Sequence, residues 1–221
     1  LVKFSPLPEI ELEDNESSKG SIFAYPQVVL GAIALFFYVG IEVIAGDTIG
    51  LYGQSIGVAD FATLTSYTMV FMVFGYLAGV LFIPRYISQE RALLLSAIFG
   101  SLFLVGAATA STTSESISQA LWGFTTIATL PNSVTFVALL GFANALVWPT
   151  IWPLALDGLG SLSAKASALL IMSIAGGAIL PLAFGKIAQL TQNMQSTYLI
   201  GLLCYGFIFA YALWWHKKKS W

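Results

Sequence analysis

The sequence predicts an all-α integral membrane protein whose six transmembrane helices form two inverted three-helix units. Three observations carry that reading. Of 221 residues, 57% are hydrophobic and 9% charged, against about 25% charged in soluble domains, and mean hydropathy is +0.84. Six apolar runs each reach the roughly 20 residues that a helix needs to cross a bilayer, and none alternates as a barrel strand does. The Lys and Arg residues fall almost wholly on one side of the resulting topology.

Residues 1–25 hold Glu9, Glu11, Glu13, Asp14 and Glu16 with Lys3 and Lys19 and show little apolar periodicity. They read as a flexible cytoplasmic linker. Nothing near Leu1 resembles a signal peptide, and the chain is expected to be a segment from the middle of a longer protein. Spans are expected over 26–54, 62–83, 92–110, 133–156, 164–187 and 198–215. The apolar stretch 117–130 is too short to cross and reads as an interfacial or loop-packed helix on the outer side. Residues 216–221 form a basic tail flanked by Trp214, Trp215 and Trp221, which fit an interfacial belt.

With both termini cytoplasmic, Lys3, Lys19, Arg85, Arg91, Lys165, Lys217, Lys218 and Lys219 lie inside and only Lys186 outside. A multi-pass protein of the cell (inner or plasma) membrane is expected. No basic patch with interleaved aromatics is present, which excludes nucleic acid as a partner. Cys204 is alone in an apolar run, so no disulfide forms within the chain, and no metal or redox spacing exists. His216 beside the terminal lysines reads as an interface residue. The spans carry no zinc-ligand set, Ser/His pair or paired-aspartate motif, and neither an enzyme nor a cofactor is expected.

The first span is the unusual one. Its second half, Gly40-Ile41-Glu42-Val43-Ile44-Ala45-Gly46-Asp47-Thr48-Ile49-Gly50, carries two carboxylates in an apolar helix. A carboxylate in hydrocarbon costs roughly 2.5–3.5 kcal/mol, so it persists facing a partner or a watery cavity. Gly40-Ile41-Glu42 is echoed by Gly141-Phe142-Ala143-Asn144 in the fourth span. Each motif is followed by an expected break, at Gly46 and Gly50 in one and at Pro149 and Pro153 in the other; Gly176, Gly177 and Pro181 mark a third kinked segment. Interrupted helices at matching positions of two repeats point to a transport site near the bilayer midplane. By helix rise, Glu42 lies roughly 20 Å from one face and Asn144 about 16 Å from the other, similar depths in a core about 30 Å thick.

Asn144, Trp148 and Trp152 share a helix face at i, i+4, i+8. An amide beside flat aromatic surfaces suits a sugar, whose hydroxyls take hydrogen bonds and whose C–H faces pack on rings. Candidate substrate-binding residues are therefore Glu42, Asn144, Trp148, Tyr38 and Trp152. Asp47, nearer the rim, reads as a gate residue. Asp60 and Glu115 read as solvated loop charges, and Gly75-x-x-x-Gly79 as a small-residue packing face. Thr65 to Thr68 are expected to satisfy helix contacts.

Phe36-Phe37-Tyr38-Val39-Gly40-x-Glu42 resembles the seventh helix of the fucose/glucose/galactose permease branch of the major facilitator superfamily. Asn144-Ala145-Leu146-Val147-Trp148-Pro149-Thr150-Ile151-Trp152-Pro153 is similar to its tenth helix, and Gly176-Gly177-Ala178-Ile179-Leu180-Pro181 to its eleventh. The resemblance covers residues 26 to 215 and implies the C-terminal half, helices 7–12, of a twelve-helix transporter. It implies import of a monosaccharide by symport with a proton or sodium ion, through alternating access, with an N-terminal six-helix half as partner and the acids tied to ion coupling in that half. Glu42 matches the glucose/galactose type, where fucose carriers hold glutamine, which implies sugar binding rather than proton carriage. The rival reading is a non-transporting sensor or assembly subunit derived from such a half. Two features depart from the branch: the 117–130 insert is longer than expected, and the Pro84-Arg85-Tyr86 turn lacks the acidic-basic-glycine loop motif of the superfamily.

Overall fold

The computed structural model describes residues 20–83 and 85–221. Six helices are long and apolar enough to cross a membrane: Pro26–Ser55, Phe61–Phe82, Gln89–Thr109, Asn132–Leu156, Gly160–Thr191 and Met194–Leu213. Each lies within a few residues of its expected span. The first is a single helix, α1 (Pro26–Ser55). α2 (Leu64–Phe82) and α3 (Gln89–Thr109) follow, then a short α4 (Ser116–Trp122) outside the spans. The fourth span is α5 (Asn132–Asn144) and α6 (Val147–Leu156). The fifth is α7 (Ser163–Met172) and α8 (Gly176–Thr191), and the sixth is α9 (Met194–Thr197) and α10 (Gly201–Leu213).

Local chemistry sets the ends. Pro26 opens α1, where its missing N–H is not needed. The Ser88 hydroxyl accepts from the Arg91 amide at 3.4 Å and caps α3. Gly158 and Gly160 take φ of +76° and +51°, the left-handed geometry that turns the chain from the fourth span to the fifth.

α1 is the axis of the bundle, packed against α5, α6, α8, α10 and α2. The first and fourth spans are 61% and 67% buried, whereas the second and fifth are only 22% buried, so the latter two present open apolar faces. Helices in lipid gain little from the hydrophobic effect and associate by close packing of small residues. Two crossings use this, the fifth span on the first and the second on the fourth. A Cβ on Gly176 would lie 1.9 Å from the Phe36 carbonyl oxygen, and one on Gly141 2.0 Å from that of Thr68. Gly75 and Gly79 admit Ala145 and Leu146 of the fourth span, as their spacing predicts.

The expected break in the first span is absent: α1 runs through Gly46, Asp47 and Gly50 without interruption. Glycine weakens a helix by about 1 kcal/mol but keeps its N–H, so no ladder bond is lost. These glycines serve contact instead. The Gly46 carbonyl accepts from the Thr65 hydroxyl at 2.8 Å, and a Cβ on Gly50 would meet the Phe61 carbonyl at 3.2 Å. The fourth span does break, at Ala145 and Leu146, directly after Asn144. Pro149 explains the position, since its ring displaces the carbonyl of Ala145 four residues back and supplies no N–H to it. Pro153 lies inside α6 and Pro181 inside α8. The fifth span tightens to a 3-10 turn at Ser173–Ala175, just before Gly176 and Gly177.

The insert after α3 folds onto the bundle. α4 is followed by turns, and Asn132 ties them down: its Oδ1 accepts from the Ile117 amide at 2.9 Å. Ser118 donates to the Leu130 carbonyl at 2.7 Å. Glu115, expected to be a solvated charge, is half-buried and accepts a hydrogen bond from the Thr129 hydroxyl. Residues 1–19 of the expected linker lie outside the described residues. From residue 20 the chain is packed: the Trp221 indole donates to the Phe23 carbonyl at 2.7 Å, and Lys219 pairs with Asp157 at 2.6 Å. His216, expected at the membrane interface, is buried with Nδ1 2.8 Å from the Tyr211 carbonyl oxygen.

Candidate functional site

Tyr38 and Glu42 lie one helical turn apart on α1, so their side chains project from one face. The Tyr38 hydroxyl donates to Glu42 Oε1 at 2.8 Å. Glu42 is half-buried and pairs with no cation among the described residues. Its carboxylate therefore keeps unused acceptor capacity in a setting where acceptors are costly to leave empty.

Across from α1, the break after Asn144 reorients α6 and directs its aromatics toward Tyr38. The Tyr38 and Trp148 rings are 6.4 Å apart at 52°, and Trp148 stacks on Trp152 at 5.6 Å and 24°. The prolines leave this face intact, so the fully buried Tyr38, bonded to Glu42, continues into the half-buried rings of Trp148 and Trp152. Pro149 and Pro153 lie exposed on the other side of α6.

Asn144 sits deeper, fully buried. Its Oδ1 accepts from the Tyr205 hydroxyl at 2.7 Å, while its Nδ2 has no partner among the described residues. An unpaired buried N–H costs about 1–3 kcal/mol. Glu42 and Asn144 each accept from a different tyrosine hydroxyl, and no hydrogen bond joins the two directly among the described residues. Tyr205, donor to Asn144, is close enough to Glu42 and Tyr38 to interact with both electrostatically, and Tyr76 of α2 is similarly close to Glu42.

The sequence pointed to neither Tyr205 nor Tyr76. Tyr205 had a usable signal, because a tyrosine inside an apolar span needs a partner for its hydroxyl. Its ring also needs room, which Gly100 of α3 provides: a Cβ there would lie 2.1 Å from the ring. Tyr76 lies inside an apolar span as well and carried the same signal, but it is 42% exposed.

The remaining sequence candidates are not part of this cluster. Asp47 is exposed, with no hydrogen bond or ion pair among the described residues. Gly176 and Gly177 pack on Phe36, Val39 and Val43 of α1, a face roughly 110° around an ideal helix from Tyr38 and Glu42. They set how α8 crosses α1 and do not border the carboxylate. Among the described residues, no group of His, Cys, Asp and Glu is placed to hold a metal ion.

No protein-family profile matches the chain. A Helicobacter pylori relative is 30% identical over 219 residues, 97% of this chain and 50% of its own length. A Brucella abortus protein named glucose/galactose transporter is 30% identical over 218 residues, 96% of this chain and 48% of its own. The Haemophilus influenzae L-fucose-proton symporter is 27% identical over 189 residues, or 82% and 40%. The crystal structure of the major facilitator superfamily transporter FucP in its outward conformation superposes with a TM-score of 0.71 at 21% identity, over 84% of this chain and 41% of that one. The chain is thus similar over nearly its whole length to a glucose/galactose transporter and over most of it to an L-fucose-proton symporter. It spans about half the length of the curated relatives it matches, and its fold is one six-helix half of a major facilitator transporter. In that fold the open faces of the second and fifth spans and the half-buried rings of Trp148 and Trp152 are surfaces of a half.

Proposed function

We propose that this chain is the C-terminal half of a cation-coupled monosaccharide symporter of the glucose/galactose type, embedded in the plasma membrane with both ends of the segment cytoplasmic. Glu42 accepts hydrogen bonds from sugar hydroxyls, the free amide hydrogens of Asn144 donate to a sugar oxygen, and Trp148 with Tyr38 and Trp152 packs against the C–H face of the ring. An N-terminal six-helix half closes the other side of the cavity and carries the proton or sodium coupling. The two halves rock about the site in alternating access.

One observation carries this reading. A carboxylate with spare acceptor capacity and an amide with a spare donor sit on two facing spans, each bonded to a tyrosine hydroxyl, with stacked aromatic rings between Tyr38 and Trp152. Sugars need that mixture of donors, acceptors and flat apolar surface. The names of the Brucella abortus and Haemophilus influenzae relatives support the substrate class.

The test is uptake of radiolabelled sugars by cells expressing the full-length protein, across a panel with sodium and pH varied independently. Uptake of glucose or galactose that rises with an inward sodium or proton gradient is expected. Equal uptake with and without both gradients contradicts coupling, and no uptake of any monosaccharide contradicts the substrate class.

A further inference from the structure

A groove outside the sugar site runs between α2 and α3. Its cavity volume is 180 Å³, and it is almost wholly apolar. Phe142 and Leu146 of the fourth span, packed on Gly75 and Gly79, line its inner side with Ala143, and Phe82, Leu95 and Phe99 line the outer side and are 46%, 40% and 41% exposed. Gly75 to Phe82 and Ala92 to Phe99 each cover about 10 Å of helix, a third of a hydrocarbon core about 30 Å thick. The groove therefore opens sideways, from within the spans.

Its end is charged. Ile83 and Ile87 line the groove where α2 gives way to α3; between them stands Arg85, and Arg91 precedes Ala92. Both guanidiniums are exposed, and neither forms an ion pair among the described residues. Among the described residues Arg85 meets the Tyr86 ring, 5.4 Å away. The acid of this turn, Glu90, is already engaged by His216 at 3.4 Å and Lys217 at 4.0 Å. The turn thus presents unneutralised cations at the mouth of an apolar channel.

We propose that this groove binds an anionic phospholipid, with one acyl chain lying along Gly75, Gly79, Leu95 and Phe99 and the phosphate held by Arg85 and Arg91. Guanidinium donor forks match phosphate oxygens. In a zwitterionic lipid such as phosphatidylcholine the choline cation offsets the phosphate charge and repels the arginines, and a free phosphate makes no use of the groove. Charge and shape together select an amphiphile with its anion at one end.

The test titrates the purified, delipidated full-length protein with phosphatidylglycerol or phosphatidylcholine of the same short chains and reads retained lipid by native mass spectrometry. Phosphatidylglycerol is expected to bind more tightly. A basic side chain at an anionic headgroup is worth about a fivefold gain in affinity, so the Arg85→Gln/Arg91→Gln protein loses about thirtyfold for phosphatidylglycerol and little for phosphatidylcholine. Leu95→Trp, a surface change that fills the groove, weakens both lipids, and glycerol 3-phosphate displaces neither. The proposal is overturned if the arginine variant keeps the headgroup preference, if glycerol 3-phosphate competes as well as the lipid, or if wild type retains no lipid because protein covers the groove. Melting temperatures equal to wild type confirm that both variants are folded.

Discussion

The Asn144–Tyr205 pair separates a structural hydrogen bond from a substrate contact. Tyr205→Phe deletes the donor at 2.7 Å and strands Asn144 Oδ1 beside an Nδ2 that is already unpaired. Leaving a buried acceptor empty costs about 1–3 kcal/mol in soluble proteins, but hydrogen bonds between membrane helices average nearer 0.6 kcal/mol with a maximum of about 1.7. A loss of about 1 kcal/mol is therefore expected, or roughly 2–4 °C in Tm for a protein of this size. Asn144→Leu strands the phenol but removes the unpaired Nδ2, so its net effect is smaller. The double variant replaces both partners with apolar groups and returns close to wild type, because removing a matched pair is nearly neutral. Thermal melts of the four proteins in detergent give the coupling energy, and sugar uptake gives the functional readout. Both Asn144 variants should lose uptake while remaining folded, whereas Tyr205→Phe should transport with a changed KM. A coupling energy near zero refutes the hydrogen bond as a stabilising contact. Wild-type KM in the stable double variant refutes the amide as a sugar ligand.

Trp148→Ala should raise the KM for sugar about three- to tenfold, the worth of an aromatic contact of about 0.5–1.5 kcal/mol, with Trp148→Phe recovering much of it; an unchanged KM removes stacking from the account. Gly176→Val should abolish folded protein, because its Cβ would fall 1.9 Å from the Phe36 carbonyl, while Gly185→Ala, with nothing within 4 Å, should be neutral or slightly stabilising. Size-exclusion profiles and melts of the two variants check this. The Lys219 ammonium holds the Asp157 carboxyl below its usual pKa. The pair's contribution is therefore present above the ordinary carboxylate range, near pH 4, and fades as pH falls through the depressed value. The pair is exposed, so the Tm difference between wild type and Asp157→Asn should be small at pH 7, shrink in about 1 M salt and vanish in acid.

Span positions were legible because length and apolar composition fix them, and a run that must bury every backbone polar group can only be helical. The break after Asn144 was legible because proline loses an N–H. Gly46 and Gly50 misled because the same residue type weakens a helix and lets another helix approach it, and only the position of Phe61 and Thr65 decides between these roles. Glu42 and Asn144 stood out as polar groups in apolar runs. Their connection did not, since it depends on Tyr205, which lies 61 residues beyond Asn144 and meets it only through the packing of the third and sixth spans. Gly176 and Gly177 were expected to mark a kink, whereas what the structure shows is their packing on Phe36, Val39 and Val43, a face set by the crossing of α8, which periodicity does not encode.

Equilibrium binding of labelled glucose and galactose to the purified full-length protein, compared between wild type, Glu42→Gln and Glu42→Ala, tests the central claim most directly. If the carboxylate of Glu42 receives the sugar hydroxyls, affinity falls strongly in Glu42→Ala and partly in Glu42→Gln, which keeps one acceptor oxygen, while both proteins melt near the wild-type temperature. Unchanged affinity in a folded Glu42→Ala protein would contradict the account and leave Glu42 as a brace for Tyr38.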